Sequence, residues 1–208
     1  MFTDNDVYII GLTGMSGAGK TTACEAFSEC GVDIINCDLV ARTVVLKGKP
    51  ALKELKDYFG DEIIFPDGTL DRKKIGNLIF SDESARLAFN EIIYPYISYE
   101  MIMNAVEYIK MGSKYVLLDA PTLFESGTDS FCDVIVSVVA EREDSIKRIM
   151  LRDNLSREEA ENRLSSQHAA DFYCDKSDFC VFNNGTREEL KSKIKNIFGL
   201  IGEDNEKK

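Results

Sequence analysis

The chain has 208 residues, 44% of them hydrophobic, enough to bury a substantial core and suited to one domain carrying insertions. Its formal net charge of −11 argues against a general nucleic-acid binder, for which a basic face is expected, and calls for local cations wherever a phosphorylated ligand binds. No apolar run approaches the length of a membrane span, and the acidic start Met1–Asp6 lacks the basic flank and apolar stretch of a signal peptide, so a cytoplasmic protein is expected.

In chain order, the apolar run Val7–Thr13 reads as a buried strand and leads straight into Gly14-Met-Ser-Gly-Ala-Gly-Lys-Thr21. The match to G-x-x-x-x-G-K-[ST] is complete, and a helix is predicted over Thr21–Cys30. In such a loop Gly14, Gly17 and Gly19 let backbone N–H groups curl around phosphate oxygens, Lys20 adds a point charge, and Thr21 can hold Mg²⁺. The helix start adds its positive dipole end. Together these features imply a bound nucleotide phosphate, without fixing a substrate or even catalysis.

The second strand is predicted over Val32–Asn36 and is followed by Asn36-Cys-Asp38-Leu-Val-Ala-Arg42. Active groups in open α/β sheets gather beyond the carboxyl ends of the strands, so Asp38 is a candidate for orienting an acceptor hydroxyl and taking its proton. An aspartate there serves equally well as an N-cap for the next helix. Arg42 shares a helix face with Asp38 and either pairs with it or meets a substrate phosphate.

Residues 40–113 form a long interval with helical periodicity at Ala51–Tyr58, Lys73–Phe80, Ser84–Ile93 and Ile97–Lys110, and a turn at Phe65-Pro-Asp-Gly-Thr69. A simple crossover would not need it, so a helical insertion forming a substrate pocket is expected. Arg72, Lys73 and Lys74 supply a basic cluster for an anionic acceptor, while Phe80, Leu87, Phe89 and Tyr94 read as the insertion's core.

The third strand, Tyr115-Val-Leu-Leu-Asp119, resembles a Walker B strand whose acid supports Mg²⁺, and Ala120-Pro-Thr-Leu-Phe-Glu125 bends Glu125 toward the same edge. A fourth strand over Val134–Val139 precedes a helix over Arg142–Arg152, in which Arg148 and Arg152, at i and i+4, can reach one phosphate region and stabilise charge on a transferred phosphoryl group. Arg157 and Arg163 read instead as part of a solvated face paired with Glu143 and Asp144. A polar helical stretch, Ser156–Ala170, opens with the capping box Ser156-Arg-Glu-Glu159 and is expected to act as a mobile lid, with His168 on its surface. The fifth strand, Phe179–Asn183, is followed by Asn184-Gly-Thr186 as turn and cap and by a helix over Arg187–Phe198. Strands alternating with helices in this way predict a doubly wound α/β sheet. The six cysteines show no C-x-x-C pair and His168 is the lone histidine, so reduced structural thiols and no zinc cluster are expected.

These residues resemble the dephospho-coenzyme A kinase family from about Ile9 to Leu190. The landmarks are Gly11-Leu-Thr-Gly14 with the loop, Asp38-Leu-Val-Ala-Arg42, Phe59-Gly60, Asp67-Gly-Thr-Leu-Asp-Arg72, Leu118-Asp-Ala-Pro121 with Leu123-Phe-Glu125, Arg148 to Asp153, Gln167, and Asn183-Asn-Gly185. The resemblance implies a P-loop NTPase-type three-layer sandwich: a kinase core of 1–45, 113–140 and 176–201 around a five-stranded parallel sheet, a helical coenzyme A domain at 46–112, and a lid at 141–175. Residues 202–208 are expected to be a disordered tail. The implied reaction is ATP-dependent phosphorylation of the ribose 3′-hydroxyl of dephospho-coenzyme A, the last step of coenzyme A synthesis. The rival readings are another small-metabolite P-loop kinase and a non-catalytic nucleotide-dependent regulator.

The family's pattern makes Asp38 the base, with Lys20 and Arg148 completing the catalytic set. The resemblance implies ATP on Gly17, Ala18, Gly19, Lys20, Thr21 and Thr22 with its adenine near Asn183 to Gly185, and the reading of the residues adds Gly14, Arg152 and Asn184 to the nucleotide site. Asp38, Arg42, Arg72 and Asp119 face the acceptor, and Thr21 and Asp119 serve Mg²⁺. A monomer or weak homo-oligomer, with no nucleic-acid or membrane partner, is expected. The chain departs from the family's pattern at Asn36 (usually Asp), at Tyr94 (usually His) and across Ala170 to Cys174 (usually basic), positions that bear on acceptor and lid contacts.

Overall fold

The computed structural model describes residues 7–205, with side chains through residue 203; the acidic start Met1–Asp6 and residues 206–208 lie outside the described residues. In chain order the elements are β1 (Tyr8–Gly14), α1 (Lys20–Glu29), β2 (Asp33–Asn36), α2 (Cys37–Thr43), α3 (Pro50–Phe59), α4 (Arg72–Ser81), α5 (Glu83–Lys110), β3 (Tyr115–Asp119), β4 (Val134–Val139), α6 (Arg142–Asp153), α7 (Arg157–Ser165), α8 (Ala170–Lys176), β5 (Phe179–Phe182) and α9 (Arg187–Asn205). The strands form one sheet in the order β2-β3-β1-β4-β5. β1 pairs in parallel with β3 (Leu12 opposite Asp119) and with β4 (Gly14 opposite Val138). β4 pairs in parallel with β5 (Val139 opposite Phe182).

The chain divides into two compact units, one made of the segments up to Ile35 and from Tyr108 onward, the other of Asn36–Glu107. Helix α2 falls in the second unit, and α6 to α8 fall in the first.

In the first unit, parallel strands covered on both faces explain the nearly continuous apolar runs. Ile10, Leu12, Val136 and Val138 are fully buried, together with Phe27 of α1, Ile146 and Ile149 of α6, Tyr173 of α8 and Ile194 of α9. Each such side chain contributes about 1.5–3 kcal/mol of apolar burial. Helices α1 and α9 lie together: Phe27 meets Phe198 edge-on, Arg187 pairs with Glu25, and Lys191 and Lys195 reach Glu29 at 2.5 and 2.8 Å. The helix α9 continues to Asn205, so the loose tail expected from residue 202 does not start there; apolar residues through Ile201 hold the helix to the core.

Two further expectations change in this unit. The stretch Ser156–Ala170 is not one helix: α7 ends at Ser165 and a separate α8 begins at Ala170. The capping box at Ser156 and Glu159 is present as read. Cys174 and Cys180 are joined in a disulfide rather than reduced, because the last turn of α8 sets Cys174 beside the start of β5 with 5.0 Å between Cα atoms, within bonding range. Cys24, Cys30, Cys37 and Cys132 take no part in a disulfide.

In the second unit, the Phe65–Thr69 turn closes as predicted, with Phe65 N–H on Thr69 O (2.8 Å), Gly68 N–H on Phe65 O (2.8 Å) and Thr69 N–H on the Asp67 carboxylate (2.9 Å). Asp71 caps α4 by accepting from Lys74 N–H at 2.9 Å. Leu52, Leu55, Ile63, Leu70 and Ile75 are buried. The two helices expected on either side of Pro95 are one 28-residue helix, α5. The proline costs one i to i−4 bond, but it sits on the exposed side where water can serve the orphaned carbonyl, and Ile93 and Met101 bury on either side of it. The Tyr96 hydroxyl donates to Glu54 at 2.5 Å and further anchors the helix. Phe80 and Leu87 are not core: they are 94% and 60% exposed, because they fall on separate helices, α4 and α5, and each lies off the side that its helix buries through Ile75 or through Ala85 and Ile93. Among the described residues, no helix is long and apolar enough to cross a membrane.

Candidate active site

The loop between β1 and α1 is shaped by its glycines. Gly14 (φ 140°) and Gly19 (φ 104°) take backbone conformations that side chains rarely adopt, and a Cβ on Gly14 would run into the Val138 carbonyl. The loop starts with Met15 N–H on Val138 O (3.2 Å) and turns with Ala18 N–H on Met15 O (3.2 Å). Helix α1 then begins with Gly19 as its N-cap, no side-chain cap and no acid in the first turn. The first helical amides and the positive dipole end are therefore left for an external anion. Thr21 is exposed and Thr22 half-buried in that first turn.

Lys20 does not point into open solvent. Its Nζ pairs with the Asp119 carboxylate at the end of β3, and the two side chains are 18% and 12% exposed. The register explains the meeting: Asp119 lies opposite Leu12, and Ala120 N–H continues the ladder onto Leu12 O at 3.0 Å, so the end of β3 lies beside the entrance to the loop. Cys24, one turn beyond Lys20 on α1, also hydrogen-bonds Asp119; burial first, and the Asp119 charge second, push its thiol up to about 12.

Three consecutive loop residues are held by side chains from more than 100 positions away. Gln167 Oε1 accepts from Ser16 N–H at 2.9 Å. Arg148 Nη1 donates to Gly17 O at 3.3 Å while its Nη2 donates to Asn183 O at 3.0 Å. Asn183 Nδ2 donates to Ala18 O at 2.6 Å. Of these residues only Arg148 stands out for chemistry in the sequence; Gln167 and Asn183 are landmarks there, and the signal for Asn183 is its place as the last residue of the fifth apolar run. Cys24 carries a signal that sequence reasoning missed: its i+4 spacing from Lys20 puts both on one helix face.

Other predicted residues sit elsewhere. Arg152 does not join Arg148: it is 54% exposed and forks onto its neighbour Asp153 at 2.8 and 2.7 Å, a carboxylate that Arg163 also reaches at 2.7 Å. These contacts, hydrogen bonds from Arg152 foremost, hold the Asp153 carboxyl below its usual range. Arg157 forks onto Glu143 at 2.8 and 2.7 Å, as expected of a solvated face. Asn184 is exposed and accepts from Glu141 N–H at 3.1 Å; with Phe182, Gly185, Glu189, Ser192 and Lys193 it lines an open cleft of about 520 Å³. Glu125 lies 3.7 Å from His168, which is 46% exposed and stacks on Phe172 at 3.7 Å between ring centres.

In the second unit, Asp38 is exposed in the first turn of α2, but Asn36 is the N-cap, accepting from Leu39 N–H at 2.8 Å. The capping role open to Asp38 in the sequence is thus taken. Arg42 and Arg72, 30 positions apart, are brought together: Arg72 Nη2 donates to Arg42 O at 3.0 Å. Among the described residues no group of three or more His, Cys, Asp or Glu is placed to hold a metal. The hydroxyl of Thr21 and the carboxylate of Asp119 are hard oxygen donors, which suit Mg²⁺ shared with substrate phosphates rather than an all-protein cage.

The family model for dephospho-CoA kinase (CoaE) matches residues 8–189. The dephospho-CoA kinase of a Bacillus cereus strain is 38% identical over 189 residues, 91% of this chain and 94% of its own length. Among solved structures, TT1252 from Thermus thermophilus has a TM-score of 0.79 at 27% identity, over 93% of this chain and 97% of that one. The dephospho-CoA kinase from Campylobacter jejuni has a TM-score of 0.69 at 24% identity, over 95% and 98%, and shares the fold.

Proposed function

The chain belongs to the dephospho-coenzyme A kinase family, an α/β fold of the P-loop NTPase type, and from that premise we propose that it transfers the γ-phosphoryl group of ATP to the ribose 3′-hydroxyl of dephospho-coenzyme A, giving coenzyme A and ADP. The observation that carries the reading is the family match over residues 8–189, which spans the phosphate loop, Asp119, Arg148 and Asn183.

In this reading the nucleotide phosphates lie on the loop from Gly14 through Gly17, Ala18 and Gly19 to Lys20, Thr21 and Thr22, where the uncapped start of α1 supplies amides and dipole. Lys20 exchanges Asp119 for phosphate oxygens. Thr21 and Asp119 would hold Mg²⁺, which when bound offsets charge on the phosphate oxygens. Arg148 stabilises charge developing on the transferred group, with Arg152 available once it leaves Asp153. Asp38 orients the acceptor hydroxyl and takes its proton; Arg42 and Arg72 offer cations to the acceptor's phosphates. Asn184 serves the nucleotide's base side. Residues 141–175 act as the lid, and the proposed setting is a cytoplasmic monomer or weak homo-oligomer without nucleic-acid or membrane partners.

The test has two arms. Labelled ATP is offered with dephospho-coenzyme A and a panel of other small hydroxyl metabolites; transfer to dephospho-coenzyme A is expected, and its absence overturns the assignment. Asp38→Asn should cut turnover at least about a hundredfold while nearly preserving ATP affinity, since loss of a general base acts on the chemical step. Normal turnover in that variant would remove Asp38 from the mechanism.

A further inference from the structure

Asn183 is 7% exposed, a buried polar residue at the point where β5 ends. Its backbone N–H bonds Val139 O at 2.8 Å, one step past the last β4–β5 pair, and its carbonyl accepts from Arg148 at 3.0 Å. Main chain fixed at both ends leaves the side chain little freedom, and its Nδ2 donates to Ala18 O at 2.6 Å. The contact is close-fitting: a Cβ on Gly19 would come within 2.5 Å of Nδ2 and 3.0 Å of a Leu190 methyl.

A trans peptide is planar, with C=O and N–H pointing in opposite directions. Fixing the Ala18 carbonyl toward Asn183 therefore fixes the next N–H, that of Gly19, away from it. Gly19 has no Cβ and a φ of 104°, so its local energetics restrain that peptide weakly, and an outside hydrogen bond is what selects one orientation. Gly19 is also the N-cap of α1, so the orientation of this peptide sets the start of the helix whose amides face the anion.

We infer that Asn183 is a positioning residue of the phosphate loop: by donating to Ala18 O it turns the Ala18–Gly19 peptide so that the Gly19 amide is aimed at the nucleotide phosphates. It touches no substrate and acts through the loop. The inference rests on the reading of the loop as an ATP site. A neighbour in sequence, Asn184, has its side chain on Glu141 N–H and cannot substitute.

The experiment compares Asn183→Leu, which keeps the shape and deletes the donor, with Asn183→Ala, which deletes both. ATP affinity is measured by titration without acceptor, and KM is measured for each substrate. If donation matters, both variants weaken ATP about tenfold, the size of one net hydrogen bond, and the leucine variant is at least as weak as the alanine one because it denies water to the stranded carbonyl. KM for dephospho-coenzyme A stays within about twofold, a split that a general loss of packing would not produce. A leucine variant that binds ATP within about twofold of wild type, or an alanine variant alone affected, overturns the inference in favour of space-filling. If the leucine variant does not fold, Asn183→Met, which fills the space and likewise lacks a donor, takes its place and is judged by the same two outcomes. Because ATP binding is read without acceptor, a wild type that binds ATP but does not phosphorylate dephospho-coenzyme A would overturn the activity and leave the role of Asn183 in ATP binding intact.

Discussion

The Lys20–Asp119 pair allows a sharp test of how the nucleotide-free site is held. Both side chains are mostly buried, at 18% and 12% exposed, so their coupling should lie between the 0–1 kcal/mol of exposed pairs and the roughly 3–5 kcal/mol lost when one partner of a buried pair is removed. Coulomb attraction at contact is about 4–5 kcal/mol with an effective dielectric near 20, and desolvation takes back much of it, leaving about 2 kcal/mol. A double-mutant cycle with Lys20→Met, Asp119→Asn and both together, read by thermal and urea unfolding at neutral pH, should return that coupling. For a chain of this size about 2 kcal/mol corresponds to roughly 4–8 °C in Tm. The same proteins titrated with ATP in the absence of Mg²⁺ extend the test. Asp119 competes with phosphate for Lys20, so Asp119→Asn should tighten Mg²⁺-free ATP by roughly ten- to thirtyfold. Single variants that add within about 0.5 kcal/mol, or Mg²⁺-free ATP that binds no tighter to Asp119→Asn, would refute the pairing as the resting state of Lys20.

Two further expectations follow from thiols. Cys24, pushed up to about 12 by burial and then by Asp119, carries only about one thiolate in ten thousand at pH 8, so alkylation followed by mass spectrometry should label it roughly a thousandfold more slowly in the folded chain than in urea, and its rate should keep climbing above pH 9 instead of levelling there. The sign is that of a raised acid: protection is complete below the ordinary thiol pKa and is lost as pH rises toward 12. The Cys174–Cys180 bridge, across a sequence separation of 6, should contribute about 2 kcal/mol by limiting the unfolded chain, so reductant or a double serine variant lowers Tm by roughly 5 °C; six titratable thiols in the unreduced protein would contradict it.

How far the sequence could be read depended on the range of the interaction involved. The strands were legible because each is a short apolar run between turn signals, and Tyr115–Asp119 and Val134–Val139 match to the residue. The loop was legible because glycine, lysine and threonine positions there are dictated by local backbone geometry. What could not be read was set by distant partners. Arg152 and Arg148 share a helix face, yet one turns to Asp153 and the other to the loop, a choice made by what lies across from each. Asn183 and Asn184 are indistinguishable in sequence; the β4–β5 ladder, which spends the Asn183 N–H on Val139, decides which side chain meets Ala18. Pro95 misled because a proline signals a break locally, whereas burial on both sides of it holds α5 together. Cys174 and Cys180 meet only because α8 exists as a separate turn, which the composition of Ala170–Lys176 did not announce.

The charge problem posed by a chain of net charge −11 takes a definite form in the first unit. The two cations at the loop are already engaged, Lys20 with Asp119 and Arg148 with two carbonyls, and on α6 and α7 Arg152 and Arg163 hold Asp153 while Arg157 holds Glu143 and Glu161. A nucleotide therefore meets few idle charges and must exchange partners to bind. The exchanges are not equivalent. Lys20 can swap one anion for another, whereas the contacts of Arg148 and Asn183 are made to carbonyls, which do not compete with phosphate as an anion does, and in the proposed kinase they are expected to persist through binding. In the proposed kinase this separates two kinds of control: changes at Asp119 should alter how strongly ATP affinity depends on Mg²⁺, while changes at Asn183 should shift ATP affinity by the same factor with or without the ion. Titrations of both variants across Mg²⁺ concentrations distinguish them, and a Mg²⁺-dependent effect at Asn183 would show that its amide, too, is part of the exchange.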